Sequence, residues 1–271
     1  MPNDIRQLAI ISDIHAGSTR ALLPPDFVTL AGQPIGQSDF QKWLWSAWLA
    51  GHDWLNKLTG ADPYALVLNG DLTEGNHHHT KEIVSPENAD HSKAAVELLE
   101  SVAARADKTY VVLGTECHTG IHELGIAKQI GAEINPESGQ PFWDRLALKI
   151  AGVQISVRHH FPATSRSYLE ASQHSIQMGN AIVEATRAGE VPPRILIGAH
   201  RHRTGHFSDG KSLSVVTGAW QGLTRHGFKV VPDGRPCPSI YLLDWRNRAD
   251  EQLPEVHYIT FDAPASPTIK P

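Results

Sequence analysis

The chain has 271 residues, of which 41% are hydrophobic, and its formal net charge is −5, from 24 basic and 29 acidic residues. This length and composition predict one domain with a large core, and the acidic balance argues against a protein that binds nucleic acid non-specifically through its phosphates. The sequence contains no run of 18 apolar residues, so no membrane span is predicted.

The N-terminal segment, MPNDIRQLAIISDIH, enters a predicted strand directly. It lacks a basic region followed by an apolar one, which argues against a secretion signal. The two cysteines, Cys117 and Cys237, are too few for a disulfide framework and fit a reducing compartment. The sequence therefore predicts a cytoplasmic protein.

Predicted strands alternate with helices in the first half of the chain, and short strands dominate the second half. Apolar runs predict strands at 6–12, 64–69, 109–113, 145–150, 153–158, 194–198, 213–218, 239–245 and 256–261. Helical patterns occur at 38–58, 89–106, 121–130 and 165–188. This order favours an α/β fold in which two sheets pack face to face between helices. We expect a single domain over 1–263 and a flexible tail over 264–271.

Side chains that commonly bind metals follow the ends of the predicted strands. They lie in the segments ISDIHAG, VLNGDL, VVLGTECH, ISVRHH and ILIGAHRH, and they are Asp13, His15, Asp71, Glu116, His118, His159, His160, His200 and His202. Open α/β sheets bind their ligands at the carboxyl ends of strands. Carboxylates mixed with imidazoles from several strand ends describe a site for one or two divalent cations. One Asp-x-His pair would be weak evidence among 16 histidines, whereas five such segments together predict a metal centre.

The order of these segments resembles that of the calcineurin-like metallophosphoesterases. The resemblance extends from residue 9 to residue 202 and thus covers most of the chain. It implies a four-layer α/β/β/α sandwich of two mixed β-sheets flanked by helices, and a site for two divalent metal ions. Mixed oxygen and nitrogen ligands suit Mn²⁺, Fe or Zn²⁺ better than Mg²⁺. The unusual third segment and the single-domain layout resemble phage or prophage-encoded members of the family.

The resemblance also implies a division of the ligands between two metals. One metal would be held by Asp13, His15 and His202. Asp71 would bridge to the second metal, which His200 would also bind. One histidine of the neighbouring pair, His159 or His160, would complete this second site, and the turn that follows the pair favours His159.

The third segment departs from the Gly-Asn-His pattern of the family, because it reads Gly114-Thr115-Glu116-Cys117-His118. One interpretation is that Glu116 replaces the asparagine as a ligand, which would add negative charge and tighten cation binding. In the other, Thr115 takes the asparagine position and Glu116 lies outside the ligand set. The first is favoured. His118 would be the catalytic imidazole, held by an acid such as Asp71 or Glu123.

A literal Gly-Asn-His triplet occurs at Gly75-Asn76-His77. It follows Asp71 too closely, because the family places a helix and a strand before its triplet. Residues 89–106 and 109–113 are the predicted helix and strand in question, and they lead to Gly114. The run of histidines from 77 to 79 is therefore predicted to be a loop beside the cleft, where it either contacts substrate or is solvated.

With the resemblance, the ligand set predicts a dinuclear-metal-dependent phosphoesterase whose nucleophile is a hydroxide that bridges the metals. A diester is favoured over a monoester, since a catalytic acid helps most with a poor leaving group. The expected substrate is a phosphoester, either a nucleotide-like small molecule or a nucleic acid, and the net charge disfavours a processive nuclease. The alternative is a metal-stabilised binding or scaffold module of the same fold, in which the altered third segment marks lost chemistry.

Overall fold

The computed structural model describes residues 4–77, 80–119, 122–162, 169–230 and 236–264. In these ranges the strands are β1 (Gln7–Ile11), β2 (Ala65–Asn69), β3 (Lys108–Val112), β4 (Leu146–Ile150), β5 (Val153–His160), β6 (Ile195–Ala199), β7 (Gly205–Ser208), β8 (Leu213–Val216), β9 (Ser239–Asp244) and β10 (Glu255–Thr260). The helices are α1 (Asp39–Thr59), α2 (Asn88–Arg105), α3 (Glu116–Thr119), α4 (His122–Gln129), α5 (Glu170–Ala188) and α6 (Arg225–Val230). No helix in these ranges is both long enough and apolar enough to cross a bilayer.

Every predicted strand and helix has a counterpart in the structure. Three elements were not predicted, namely β7, α3 and α6, which are only 4, 4 and 6 residues long. Segments this short do not complete enough periods for a hydrophobic pattern to be recognised. The first residues of the predicted helix 165–188 and nearly all of the predicted tail 264–271 lie outside the described residues, so the flexible tail remains a prediction.

The strands form two five-stranded mixed sheets, with the orders β10-β9-β1-β2-β3 and β4-β5-β6-β8-β7. In the first sheet β1, β2 and β3 are parallel, and β9 and β10 extend it by antiparallel pairing. In the second sheet β5, β6 and β8 are parallel, with β4 and β7 antiparallel at its two edges. The parallel strands of each sheet therefore bring their following loops to one edge of that sheet.

Three separate apolar clusters mark the interfaces between four layers. Along β1, Ala9 and Ile11 face the cluster that contains the buried residues of α1, α2 and α4, whereas Leu8 and Ile10 face the second sheet. On the far side of the second sheet, Leu196 packs with Met178 of α5. Successive side chains of a strand point to opposite faces, so β1 contributes to two interfaces at once. The predicted α/β/β/α sandwich is confirmed.

Helix α1 begins with a capping box. Gln41 N donates to Ser38 Oγ at 3.3 Å, and Ser38 N donates to Gln41 Oε1 at 3.1 Å. Its buried Trp48 contacts Trp220 edge to face, with ring centroids 4.7 Å apart. Trp220 N in turn donates to Asp13 O at 2.9 Å. Packing of α1 thus supports the backbone of a predicted metal ligand.

His52 on α1 provides a stability prediction that is independent of the metal centre. Its ring lies 4.3 Å from that of Trp48, and its buried Nε2 has no hydrogen-bond partner within the described ranges. Burial lowers the pKa of His52 to about 4, while Asp53 opposes the shift. The folded-state pKa lies below the unfolded value of 6.5. The contribution of neutral His52 to the unfolding free energy is therefore fully present above pH 6.5 and is lost as the pH falls toward 4.

We expect wild-type protein to lose about 2 kcal/mol more unfolding free energy than His52→Leu between about pH 7 and about pH 4. The figure is reduced from the full pKa shift because the side chain is partly exposed. Urea unfolding of both proteins at the two pH values measures the difference. An equal loss in the two proteins would show that His52 is not the group that titrates.

Candidate metal centre

The predicted ligands meet where loops from the two sheets come together. The loops after β1, β2, β3 and β6 contribute, as does the end of β5. Asp13 N donates to Gly70 O at 3.0 Å, and His15 N donates to Asp71 O at 2.9 Å, which joins the first two loops. His200 N donates to Asp13 Oδ1 at 3.2 Å and connects the second sheet to them. Side chains far apart in sequence are thus held by a backbone network.

One group of potential ligands contains Asp13, His15 and His202, and it matches the predicted first metal site. Asp13 and His15 are buried. His202 Nε2 lies 3.7 Å from Asp13 Oδ1 and 3.1 Å from His15 Nε2. His15 Nδ1 lies 2.9 Å from Glu74 Oε2. That contact favours the tautomer in which Nδ1 carries the proton and Nε2 offers its lone pair to the group.

A second group contains Asp71, His159 and His200. Asp71 Oδ2 lies 3.0 Å from His159 Nε2 and 3.9 Å from His200 Nδ1. His159 Nδ1 lies 2.7 Å from Asn69 O, a backbone contact that orients the ring. The same Asp71 Oδ2 is 3.8 Å from His15 Nε2 of the first group. The Asp71 carboxylate therefore lies between the two groups, as expected for a bridging ligand.

The donor atoms of both groups fit divalent cations. His159 Nε2 is buried and has no partner with hydrogen-bond geometry among the described residues, although Asp71 Oδ2 is close. When His15 Nδ1–H donates to Glu74 Oε2, the neutral His15 ring presents only the lone pair of its Nε2 to His202 Nε2. Positive charge between these convergent nitrogen and carboxylate atoms would offset the cost of burying them. Clustered His and Asp side chains therefore make this a candidate metal centre.

The pKa values reflect the same convergence of charge. Burial raises the pKa of Asp13. Burial also acts on Asp71, but the neighbouring His159 holds the pKa of this carboxyl well below its usual range. In return, Asp71 overcomes the effect of burial on His159 and raises its pKa to about 10. A cation bound at His159 Nε2 would replace the proton of this imidazolium, so metal binding is expected to release protons.

In the third segment, Thr115 is the residue that reaches the second group. Its N donates to Asp71 Oδ1 at 2.6 Å, and its Oγ1 lies 3.2 Å from Asp71 Oδ2 and 3.1 Å from His200 Nδ1. Glu116 is exposed and belongs to none of the ligand groups in the described part of the chain. The structure does not bring Glu116 into the site, because α3 begins there and its side chain faces solvent.

The two adjacent histidines at the end of β5 have different environments. His159 is buried against Asp71, whereas His160 is exposed, with its ring 4.6 Å from that of His200. Adjacent strand residues point to opposite sides, and the pairing of β5 with β6 shifts register between Val157 and His160. Of the pair, the structure places His159 in a group of potential ligands and His160 at the rim.

His118 lies at the edge of the first group and is half-buried. Its Nδ1 lies 2.7 Å from Glu74 O, so the predicted supporting acid is replaced by a backbone carbonyl. Its ring contacts that of His15 edge to face at 4.8 Å. Burial and the neighbouring His15 lower the pKa of His118 to about 4. Because Nδ1 donates to the carbonyl, Nε2 is the atom available to a ligand.

Glu123 has a structural role that the sequence did not indicate. It accepts from Leu72 N at 2.9 Å and from Gly114 N at 3.0 Å, so one buried carboxyl group joins the second and third loops. Burial raises the pKa of Glu123 to about 7 against these two hydrogen bonds. Gly114 is required at this junction, since a Cβ atom there would lie 2.1 Å from Asp71 N.

Glu74 connects several parts of the site and was missed in the sequence. Its Oε2 accepts from Gln221 Nε2 at 2.6 Å in addition to contacting His15. Its Oε1 lies 3.5 Å from His77 Nε2. His77 thus lies beside the centre, as predicted for the histidine-rich loop, whereas His78 and His79 lie outside the described residues. Glu74 lies three residues after Asp71 in a polar loop, and nothing in the sequence distinguishes it from a solvent-exposed acid.

The backbone is also unusual at the ligands. Among the described residues, seven non-glycine residues have positive φ, and five of these are Asp13, His15, Asp71, His200 and His202, with φ between 48° and 74°. This left-handed conformation is unfavourable for residues with a Cβ atom. Such residues concentrate at functional sites, where the surrounding structure holds them in place.

No protein-family model matches the chain, and no curated protein matches it by sequence. Among solved structures, the chain is similar to Vps29 from Chaetomium thermophilum, with 12% identity, a TM-score of 0.44, and 96% of this chain and 99% of that chain covered. It is also similar to a novel archaeal phosphodiesterase, with 12% identity, a TM-score of 0.44 and coverage of 94% and 99%. A hypothetical protein from Pyrococcus horikoshii OT3 has 10% identity, a TM-score of 0.47 and coverage of 95% and 88%.

Proposed function

We propose that this chain is a phosphoesterase that depends on two divalent cations and prefers phosphodiesters. The observation that carries the proposal is the position of Asp71 between two groups of converging imidazole and carboxylate ligands. A carboxylate has an oxygen for each of two cations, and paired cations are typical of enzymes that displace groups at phosphorus. Membership of the calcineurin-like metallophosphoesterases, including the phage-type resemblance, and a cytoplasmic location remain predictions.

In this proposal each metal has a group of three ligands from the described residues, and Asp71 of the second group also reaches the first metal. Asp13, His15 and His202 hold the first, and Asp71, His159 and His200 hold the second. Mixed nitrogen and oxygen donors favour Mn²⁺, Fe or Zn²⁺. When bound, the cations supply Lewis-acid activation of the phosphate group and of water. Thr115 assists by fixing the Asp71 carboxylate through its backbone N–H.

The residue proposed to protonate the leaving oxygen is His118. Its Nδ1 donates to Glu74 O, which fixes the ring, so Nε2 is the atom that would carry the donated proton in the imidazolium form. The pKa of about 4 means that the ring is neutral without substrate near pH 7. An anionic ester beside the ring stabilises the imidazolium form and raises this pKa. Proton donation matters most when the leaving group is a poorly stabilised alkoxide, which is why a diester is preferred.

A second candidate function is a metal-stabilised binding or scaffold module. The observation that favours it is the third segment, where Thr115 contributes only a hydroxyl beside Asp71 and Glu116 faces solvent. A metal held by three described ligands at this position can shape the loops without efficient turnover. In that case the partner is a macromolecule that contacts the loop edge.

Metal-stripped protein, re-supplied with Mn²⁺, Zn²⁺ or Mg²⁺, tests the proposal on bis(p-nitrophenyl) phosphate and p-nitrophenyl phosphate. We expect diester cleavage only after a transition metal is added, and calorimetric titration with Mn²⁺ should show two bound ions per chain. Two bound ions without cleavage of either ester would contradict the enzyme and support the scaffold. Failure to bind any ion would contradict both functions.

A further inference from the structure

A third group of potential ligands lies next to the two-metal centre and is made by His77, Cys117 and His118. Each side chain offers one donor atom, and these atoms lie within 4.8 Å of one another. His77 lies in the loop after β2, whereas Cys117 and His118 lie in α3. The rings of His77 and His118 are in edge-to-face contact, with centroids 4.3 Å apart. Cys117 is an exposed free thiol.

The donors of this group differ in kind from those of the main centre. Two imidazoles and a thiolate suit Zn²⁺ and similar cations, whereas Mn²⁺ and Mg²⁺ prefer oxygen. The Glu74 carbonyl fixes His118 Nδ1 and leaves Nε2 for a cation, while Glu74 Oε1 lies 3.5 Å from His77 Nε2. A partner atom that orients an imidazole is a regular feature of metal-ligating histidines. Exposure of Cys117 leaves the group accessible from solvent.

We propose that His77, Cys117 and His118 form a third metal site that is selective for zinc-like cations, and that occupancy of this site inhibits hydrolysis. The inhibition rests on the proposed function, in which His118 Nε2 protonates the leaving group. A cation at Nε2 takes the position of that proton. Binding also releases the Cys117 thiol proton to solvent, since the thiolate is the ligand.

Cobalt absorption tests the site itself without any assay of activity. A thiolate bound to Co²⁺ gives a charge-transfer band in the near ultraviolet, and the chain has only two cysteines. Because the Sγ of Cys237 lies near the carbonyls of Pro238 and Phe261 and belongs to none of the potential ligand groups among the described residues, we expect the band in wild type and in Cys237→Ser but not in Cys117→Ser. We expect His77→Asn to weaken Co²⁺ binding about tenfold to a hundredfold. Absence of the band in wild type would overturn the site.

Zinc titration of the Mn²⁺-loaded enzyme tests the inhibition. With an alkyl diester as substrate, whose leaving group needs a proton, we expect added Zn²⁺ to suppress cleavage in wild type and in Cys237→Ser. The concentration for half-inhibition should rise more than about tenfold in Cys117→Ser, because it loses a direct ligand. Equal inhibition of wild type and Cys117→Ser would overturn the regulatory role, since zinc would then be acting at the two main sites. If the wild type shows no activity with any metal, the proposed function fails, while the cobalt band still decides whether the site exists.

Discussion

Asp71→Asn is expected to reduce metal-dependent diester cleavage by more than about a hundredfold. This loss is larger than the one expected when a residue that only hydrogen-bonds to a metal ligand is replaced. The carboxylate lies between the two ligand groups, with Oδ2 within 3.9 Å of His15, His159 and His200. Asparagine has nearly the same shape but only one oxygen and no charge. It therefore cannot serve two cations, although its oxygen can still accept from Thr115 N.

The measurement combines steady-state cleavage of bis(p-nitrophenyl) phosphate with calorimetric counting of bound Mn²⁺. We expect the variant to lose affinity for at least one ion and to keep the far-ultraviolet circular dichroism of the wild type. Asp53→Asn is the matched control, because Asp53 is exposed on α1 and belongs to none of the ligand groups. A variant that retains wild-type cleavage would remove Asp71 from the proposed centre.

His118→Gln is expected to have a large effect that depends on the leaving group. For a diester that releases an alkoxide, we expect cleavage to fall by about 10²–10⁴-fold, the usual contribution of a positioned general acid. For bis(p-nitrophenyl) phosphate the loss should be much smaller, because p-nitrophenolate leaves without a proton. Metal binding should be retained, since the proposed ligands of both main sites are unchanged.

The experiment compares kcat for an alkyl and a p-nitrophenyl diester in wild type, His118→Gln and His206→Gln. His206 is an exposed histidine on β7, so its replacement controls for loss of an imidazole elsewhere. Equal losses on both esters in His118→Gln would indicate that His118 orients the site and does not donate the proton. Such a result would also remove the basis for zinc inhibition through Nε2.

The sequence predicted the two sheets and most of the assembled ligands because both follow from local patterns. Asp13, Asp71 and His200 each follow a fully buried apolar strand, and parallel strands bring such positions to one edge. The choice of His159 over His160 was also favoured by sequence, and the structure shows the buried side of β5 that distinguishes them. The fold and the order of the potential ligands along the chain can therefore be predicted from the sequence.

The third segment and the supporting acids were not accessible in the same way. Whether Thr115 or Glu116 faces Asp71 depends on where α3 begins, and a four-residue helix has no recognisable periodicity. Glu74 and Glu123 act through contacts with residues distant in the chain, namely Gln221 for Glu74 and Leu72 for Glu123. Their roles depend on tertiary packing, which no local pattern encodes.

The positive φ angles of Asp13, His15, Asp71, His200 and His202 have a consequence for engineering. A non-glycine residue in such a conformation costs on the order of 1–3 kcal/mol. A search for stabilising substitutions would therefore favour glycine at these five positions and would delete the ligand set. Five of the seven described non-glycine residues with positive φ lie at this centre. Thermal stability and metal binding thus impose opposite preferences at the same five residues, and improving one selects against the other.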